Sequence, residues 1–159
     1  MTLLLRILLL CALAGTLAAS EQSEIQHLYR RGLEGDNDAV DRCIEELEAV
    51  LGREPQNQLA RVYLGSSYTL RSRNLGFGPK KLSTLKQGLA LMDEAVAGAP
   101  NEPKVRLARA LTTSALPALF GRKSESKRDF DLLRDLAARN PEKFDSADVQ
   151  ALRENTVKK

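Results

Sequence analysis

The sequence predicts an all-α domain of stacked antiparallel helical hairpins, closed by a short C-terminal capping helix. Three observations predict it. Apolar residues recur at three- and four-residue spacing through almost all of the chain after residue 20, the period of helices buried on one side. Gly and Pro interrupt that pattern at Gly35, Pro55, Gly76 to Pro79, Pro100, Pro117 and Pro141, where helices stop or turn. The segments before Pro55, Pro100 and Pro141 also align with one another: Ile44, Leu89 and Phe130, then Leu47, Met92 and Leu133, then Val50, Ala95 and Leu136. One hairpin cannot hide its own apolar stripe, so three of them side by side make a continuous core.

The elements follow in order. Residues 21 to 33 carry Ile25, Leu28, Tyr29, Gly32 and Leu33 on one helical face, with Glu21 and Glu24 suited to a helix N-terminus. Gly35-Asp36-Asn37-Asp38 is a turn in which Asp36 or Asn37 caps the next helix. That helix buries Ala39, Val40, Cys43, Ile44, Leu47, Val50 and Leu51; Gly52 marks its end. The stretch Asn57 to Arg73 is the central packing helix. Ala60, Leu64 and Tyr68 line one face, and Gly65 in mid-helix, about 1 kcal/mol worse than alanine there, admits a close partner helix. After the loop Asn74 to Pro79, a return helix bears Leu82, Leu85, Leu89, Met92 and Val96 and stops near Gly98 and Pro100. Asn101 as cap and Pro103 in the first turn begin a helix with Val105, Ala108, Leu111 and Ala115, ended by Pro117. Ser124 or Ser126 starts the next, with Phe130, Leu133, Leu136 and Ala137, and Asp145 or Ser146 caps a last short helix holding Val149 and Leu152.

Composition assigns the domains and the compartment. Residues 1–20 read as a signal peptide: Arg6, then an apolar run from Ile7 to Ala14 that is shorter than the ~20 residues of a membrane span, then small residues. Cleavage after Ser20 competes with cleavage after Ala18, and Leu8-Leu9-Leu10 before Cys11 argues against lipidation. Residues 21–155 form the helical domain and 156–159 a disordered tail. The expected product is exported, periplasmic or secreted, with no stable membrane span once the leader is removed. Its remaining cysteine, Cys43, closes no internal disulfide and is a small core residue. Charge is uneven: residues 21–50 hold nine acids against three Arg, whereas 51–100 hold seven Lys or Arg against three acids. With no Trp, 4% aromatic residues and no block of Lys or Arg alone, nucleic-acid binding is not expected.

Leu64-Gly65-x-x-Tyr68 resembles the first helix of a tetratricopeptide unit, and Leu47, Val50 and Pro55 resemble the second. Arg61 stands where that signature has its tryptophan, and the prolines lie 45 and 41 residues apart against about 34 in the standard unit. The resemblance is to the tetratricopeptide-like superfamily. It implies an α-solenoid with a concave groove for a protein or peptide partner. Tyr63-Leu64-Gly65-Ser66, Lys81-Leu82, Gly88-Leu89, Val105-Arg106 and Leu116-Pro117-x-x-Phe120-Gly121-Arg122 are also similar to a family of small exported bacterial helical proteins, a likeness that implies fold and compartment but no activity.

Catalysis is not expected. His27 is the one histidine, so no metal pair or base–nucleophile spacing arises, and no catalytic residue, metal site or cofactor is assigned. Glu45, Glu46 and Glu48 lie on the wet side of an amphipathic helix, and Gly76-Phe77-Gly78 lacks the ending of a phosphate loop. The polar concentration that suggests binding is basic. Arg71, Arg73, Lys80 and Lys81 flank the loop with Phe77 at its tip, and Arg106, Arg109 and Arg122 face it if the hairpins stack. Two functions follow: a scaffold for a protein or peptide partner in the cell envelope, or a carrier of a small anionic ligand at loop 71–81. The first requires an open groove, the second a closed cavity near Phe77 and Phe120.

Overall fold

In a computed structural model residues 21–155 are described; the expected signal peptide at 1–20 and the expected tail at 156–159 lie outside them. Residues 21–33 are helical (α1). There follow α2 (Asn37–Arg53), α3 (Gln58–Asn74), α4 (Pro79–Gly98), α5 (Pro103–Ser114), α6 (Lys123–Arg139) and α7 (Ser146–Glu154), with single 3-10 turns at Ala118–Phe120 and Pro141–Lys143. No strand occurs among the described residues.

One turn is used three times. Each proline removes the preceding residue from the helical region. Glu54 (φ −129°, ψ 72°), Ala99 (−140°, 66°) and Asn140 (−139°, 65°) end α2, α4 and α6 in nearly one conformation, each donating its N–H to the carbonyl four residues back. Their own carbonyls accept from Asn57, Glu102 and Lys143, three residues on. Arg61 and Arg106, each six residues past its proline, reach back to the carbonyls of Pro55 and Pro100. The superposition of the three prolines is therefore a repeat of geometry as well as of pattern. It also explains why α2 runs through Gly52 to Arg53: the stop belongs to Pro55.

Caps decide the other ends. Asp36 accepts from the Ala39 amide at 3.0 Å, and Asn57 from Ala60 at 2.9 Å. Asp145 accepts from Ala147 and Asp148 while Asp148 accepts in return from the Asp145 amide, a complete capping box. Asn101 does not cap α5. Glu102 holds that position without a side-chain bond, and Pro103 leaves one fewer amide to satisfy. Neither Ser124 nor Ser126 starts α6, which begins at Lys123 with Arg122 in the cap position; Ser126 turns inward and donates to the Ala110 carbonyl at 3.0 Å.

Successive cores share helices. Ile25, Leu28, Val40, Ile44, Leu47, Leu64 and Leu70 pack α1, α2 and α3 together. Val62, Met92, Val96 and Val105 join α3, α4 and α5. Leu107, Phe130, Leu133, Phe144 and Leu152 join α5, α6 and α7. Helix α3 touches α2, α4 and α5, and is buried almost all round. That burial includes Ser66, Ser67, Thr69 and Ser72, which no apolar stripe announces. Thr69 and Ser72 bond back to the carbonyls of Ser66 and Thr69, satisfying themselves within the helix. Cys43 is fully buried, donating to the Ile25 carbonyl at 3.9 Å and accepting from Ser67 at 3.6 Å.

Candidate functional site

Helices α1, α3 and α5 run parallel. Tyr29 meets Ser66, a Cβ on Gly32 would lie 3.7 Å from Leu70, and Ser66 meets Thr112. Between them and α7 lies a cleft of about 470 Å³. Its walls are Leu33, Leu70, Leu107, Ala108, Leu111 and Leu116, with Ala147 and Ala151 from the last helix. The even helices contribute nothing to it; they form the outer layer.

Three hydroxyls from three helices form its floor. Tyr29 Oη is 2.6 Å from Ser66 Oγ, which is 2.6 Å from Thr112 Oγ1. Thr112 spends its proton on the Ala108 carbonyl at 2.8 Å. Ser66 must therefore donate to Thr112, and Tyr29 to Ser66. Burial pushes the Tyr29 phenol up, with its bonds to Ser66 and Thr112 pulling the other way, so it remains a donor. Tyr63 stands edge-on to Tyr29, ring centroids 5.1 Å apart, and is pushed up to about 12 by burial first, then by Tyr29 and the carboxylates Asp148 and Asp145.

The charged rim is short. At the α5 and α7 N-termini Lys104 pairs with Asp145 at 3.1 Å. The capping bond from the Asp148 amide, then Lys104, holds the Asp145 carboxyl below the usual range. At the other end stands Arg73, exposed, which makes no ion pair or side-chain hydrogen bond with the described residues.

Of the residues that the sequence singled out, only Arg73 lines the cleft. Arg71 holds Asp41 at 2.6 Å and lies 5.8 Å from the Tyr68 ring centre. Lys81 donates to the carbonyls of Arg73 and Leu75, closing the end of α3. Lys80 is exposed, and Phe77 is fully so. Arg106, Arg109 and Arg122 do not face the loop with free guanidinium groups. They are spent on Asp93, Glu125 and Asp129, carboxylates of α4 and α6. Asp129, buried, takes two bonds from Arg109 at 2.8 and 2.9 Å and one from Arg106 at 2.6 Å. Burial works against the charge on Arg109, but Asp129 and Glu125 outweigh it and hold its pKa above the ordinary value. Three cations against three acids leave that cluster neutral, a bracket between helices.

Tyr29 is legible as part of an apolar helix face but not as a hydrogen-bonding group, and Ser66 and Thr112 escape sequence reasoning because a serine or threonine on a helix reads as solvated. One signal was available: Ser66 and Thr112 lie 46 residues apart, almost the spacing of Pro55 and Pro100. No helix among the described residues is long and apolar enough to cross a membrane. Comparison with family models, curated proteins and solved structures returns no match to the chain.

Proposed function

We propose that the chain is an exported tetratricopeptide-like scaffold of the cell envelope, which grips an apolar segment of a protein partner in the cleft between α1, α3, α5 and α7. The carrying observation is the lining itself. Every odd helix supplies one wall, the walls are apolar, and the floor is a fixed row of hydroxyls. Such a surface suits a segment that inserts side chains and leaves its backbone to polar contacts. The three equivalent proline turns and the close approach of α3 to α4 at Gly65 support the solenoid reading. Since the functional groups here only bind, the reading assigns no catalysis.

A displayed peptide library selected on the purified protein tests it. Peptides enriched on the wild type should be lost on Ala115→Trp and Ala147→Trp, two exposed positions that fill the cleft from two walls without touching a core. Retention on both filled variants, or no enrichment at all, would sink the proposal.

A second reading, carriage of a small organic anion, rests on Arg73. The cleft volume lies in the range of ligand sites, about 300–1,000 Å³, and Arg73 offers an unspent guanidinium at its mouth. The remainder of loop 71–81 does not reach the cleft, so this reading stands on one residue. Displacement of an anionic fluorophore should then depend on Arg73 and be indifferent to Lys80.

A further inference from the structure

The four large apolar side chains that stand most in solvent among the described residues share one end of the molecule. They are Leu33 (54% exposed), Phe77 (100%), Leu82 (46%) and Leu119 (81%). Because α1, α3 and α5 are parallel, their C-terminal ends and the loops that follow them fall together. Leu33 closes α1, Phe77 and Leu82 lie in the loop after α3 and the first turn of α4, and Leu119 lies in the loop after α5. The opposite end, with its three proline turns, presents none, and carries charges of both signs, Glu54, Glu102, Glu142 and Asp145 with Arg53, Lys104 and Lys143.

The charge of the apolar end is specific. Around the loop after α3, positions 70 to 86 hold five Lys or Arg and no acid. Within that stretch Arg73, Lys80 and Lys81 flank Phe77, and Lys123 opens α6 four residues after Leu119; Lys81 and Lys123 each also donate to backbone carbonyls, of Arg73 and Leu75 and of Ser114. Lys80 makes no ion pair with the described residues. Acids at this end are Glu34 and Asp36 in the turn after α1, Asp38 and Asp41 at the start of α2 and Glu125 in the first turn of α6; Asp36, Asp41 and Glu125 are paired with Arg31, Arg71 and Arg122. The cationic side is thus the pair of loops that carry Phe77 and Leu119.

A protein interface concentrates its apolar groups in a core depleted of lysine. Here single apolar side chains project from separate loop tips with lysines beside them. That is the arrangement by which a protein seats on an anionic bilayer: the apolar tips enter the headgroup boundary and the cations meet the phosphates. We propose that this end of the molecule docks on an anionic phospholipid surface, with Phe77 and Leu119 entering it and Lys80 and Lys123 holding the phosphates. Phe77, Leu119, Lys80 and Lys123 do not line the cleft, which reaches the same end of the molecule at Leu33 and Arg73.

The absence of tryptophan supplies the test. Phe77→Trp in the full chain places a single reporter at the loop tip, and Gln56→Trp places one in the exposed proline turn at the other end. With vesicles of phosphatidylglycerol and phosphatidylcholine in equal parts, the first emission should shift to the blue and the second should not. The shift should be absent on phosphatidylcholine alone and lost when Lys80→Glu and Leu119→Ser are added. No shift for Phe77→Trp would overturn the proposal, as would an equal shift for Gln56→Trp, which would mean adsorption without this orientation. A shift that appears without vesicles as protein concentration rises would overturn it too, assigning the loops to a second copy of the chain.

Discussion

Gly65 and Gly88 meet across α3 and α4 so closely that a Cβ on either would lie 2.5 Å from the other's carbonyl oxygen. The nearest obstacle is backbone on both sides, which no rotamer change relieves.

Gly65→Ala and Gly88→Ala should therefore destabilise, although each substitution improves helix propensity by about 1 kcal/mol. Separating the helices costs more than that gain, and Gly65→Leu, which also meets Met92, should lose at least the ~1–3 kcal/mol of overpacking. Chemical denaturation measures both. A stable Gly65→Leu would mean that the two helices part freely.

Asp129 is the keystone of the α4–α5–α6 bracket. Asp129→Ala leaves two buried or half-buried guanidinium groups without their main partner and should cost about 3–5 kcal/mol. Replacing Arg109 and Asp129 together by Met and Leu should recover much of the loss, since the penalty lies in the stranded charge. Thermal melts of the single and double variants distinguish the two contributions.

Glu125 gives a pH dependence of definite sign. Burial raises its pKa, against the pull of Arg109 and Arg122. Its Oε2 comes within 2.7 Å of Arg122 Nε without the alignment of a hydrogen bond. The folded state then binds this proton more tightly than the unfolded chain, so its contribution falls as pH rises through the carboxylate range and stays low above it. Glu125→Gln should be at least as stable as wild type at neutral pH, with the advantage disappearing in acid. Denaturation across pH would contradict this if the advantage grew on acidification.

The hydroxyl row predicts an order of effects. Ser66→Ala strands the Tyr29 proton and removes the donor to Thr112, a loss of about 1–3 kcal/mol for an unsatisfied buried group. Tyr29→Phe leaves the Ser66–Thr112 bond in place and should cost less. The double variant should be no worse than Ser66→Ala alone, a coupling that a mutant cycle reads directly.

Much of this architecture was legible in the chain. Periodicity placed the helices, and Pro55, Pro100 and Pro141 marked a shared turn because proline acts on its immediate neighbour, a local effect. Gly65 signalled close approach for the same reason: nothing local rewards a glycine in mid-helix. What stayed hidden is non-local. The partner of Gly65 is Gly88, the partner of Arg109 is Asp129, and whether a guanidinium is free or spent depends on which acid the fold delivers. Arg73 and Arg109 are indistinguishable by type, yet one stands in solvent and the other is bracketed by carboxylates.

The sharing of α3 and α5 between neighbouring cores carries a consequence for how the molecule comes apart. Shedding α7 uncovers one side of α5 but leaves its contacts with α3 intact, so loss of order can proceed from the C-terminal edge in steps. Amides of α7 should then exchange with solvent well ahead of those in α3. The cleft, which borrows one wall from α7, would lose its shape before the rest of the molecule does.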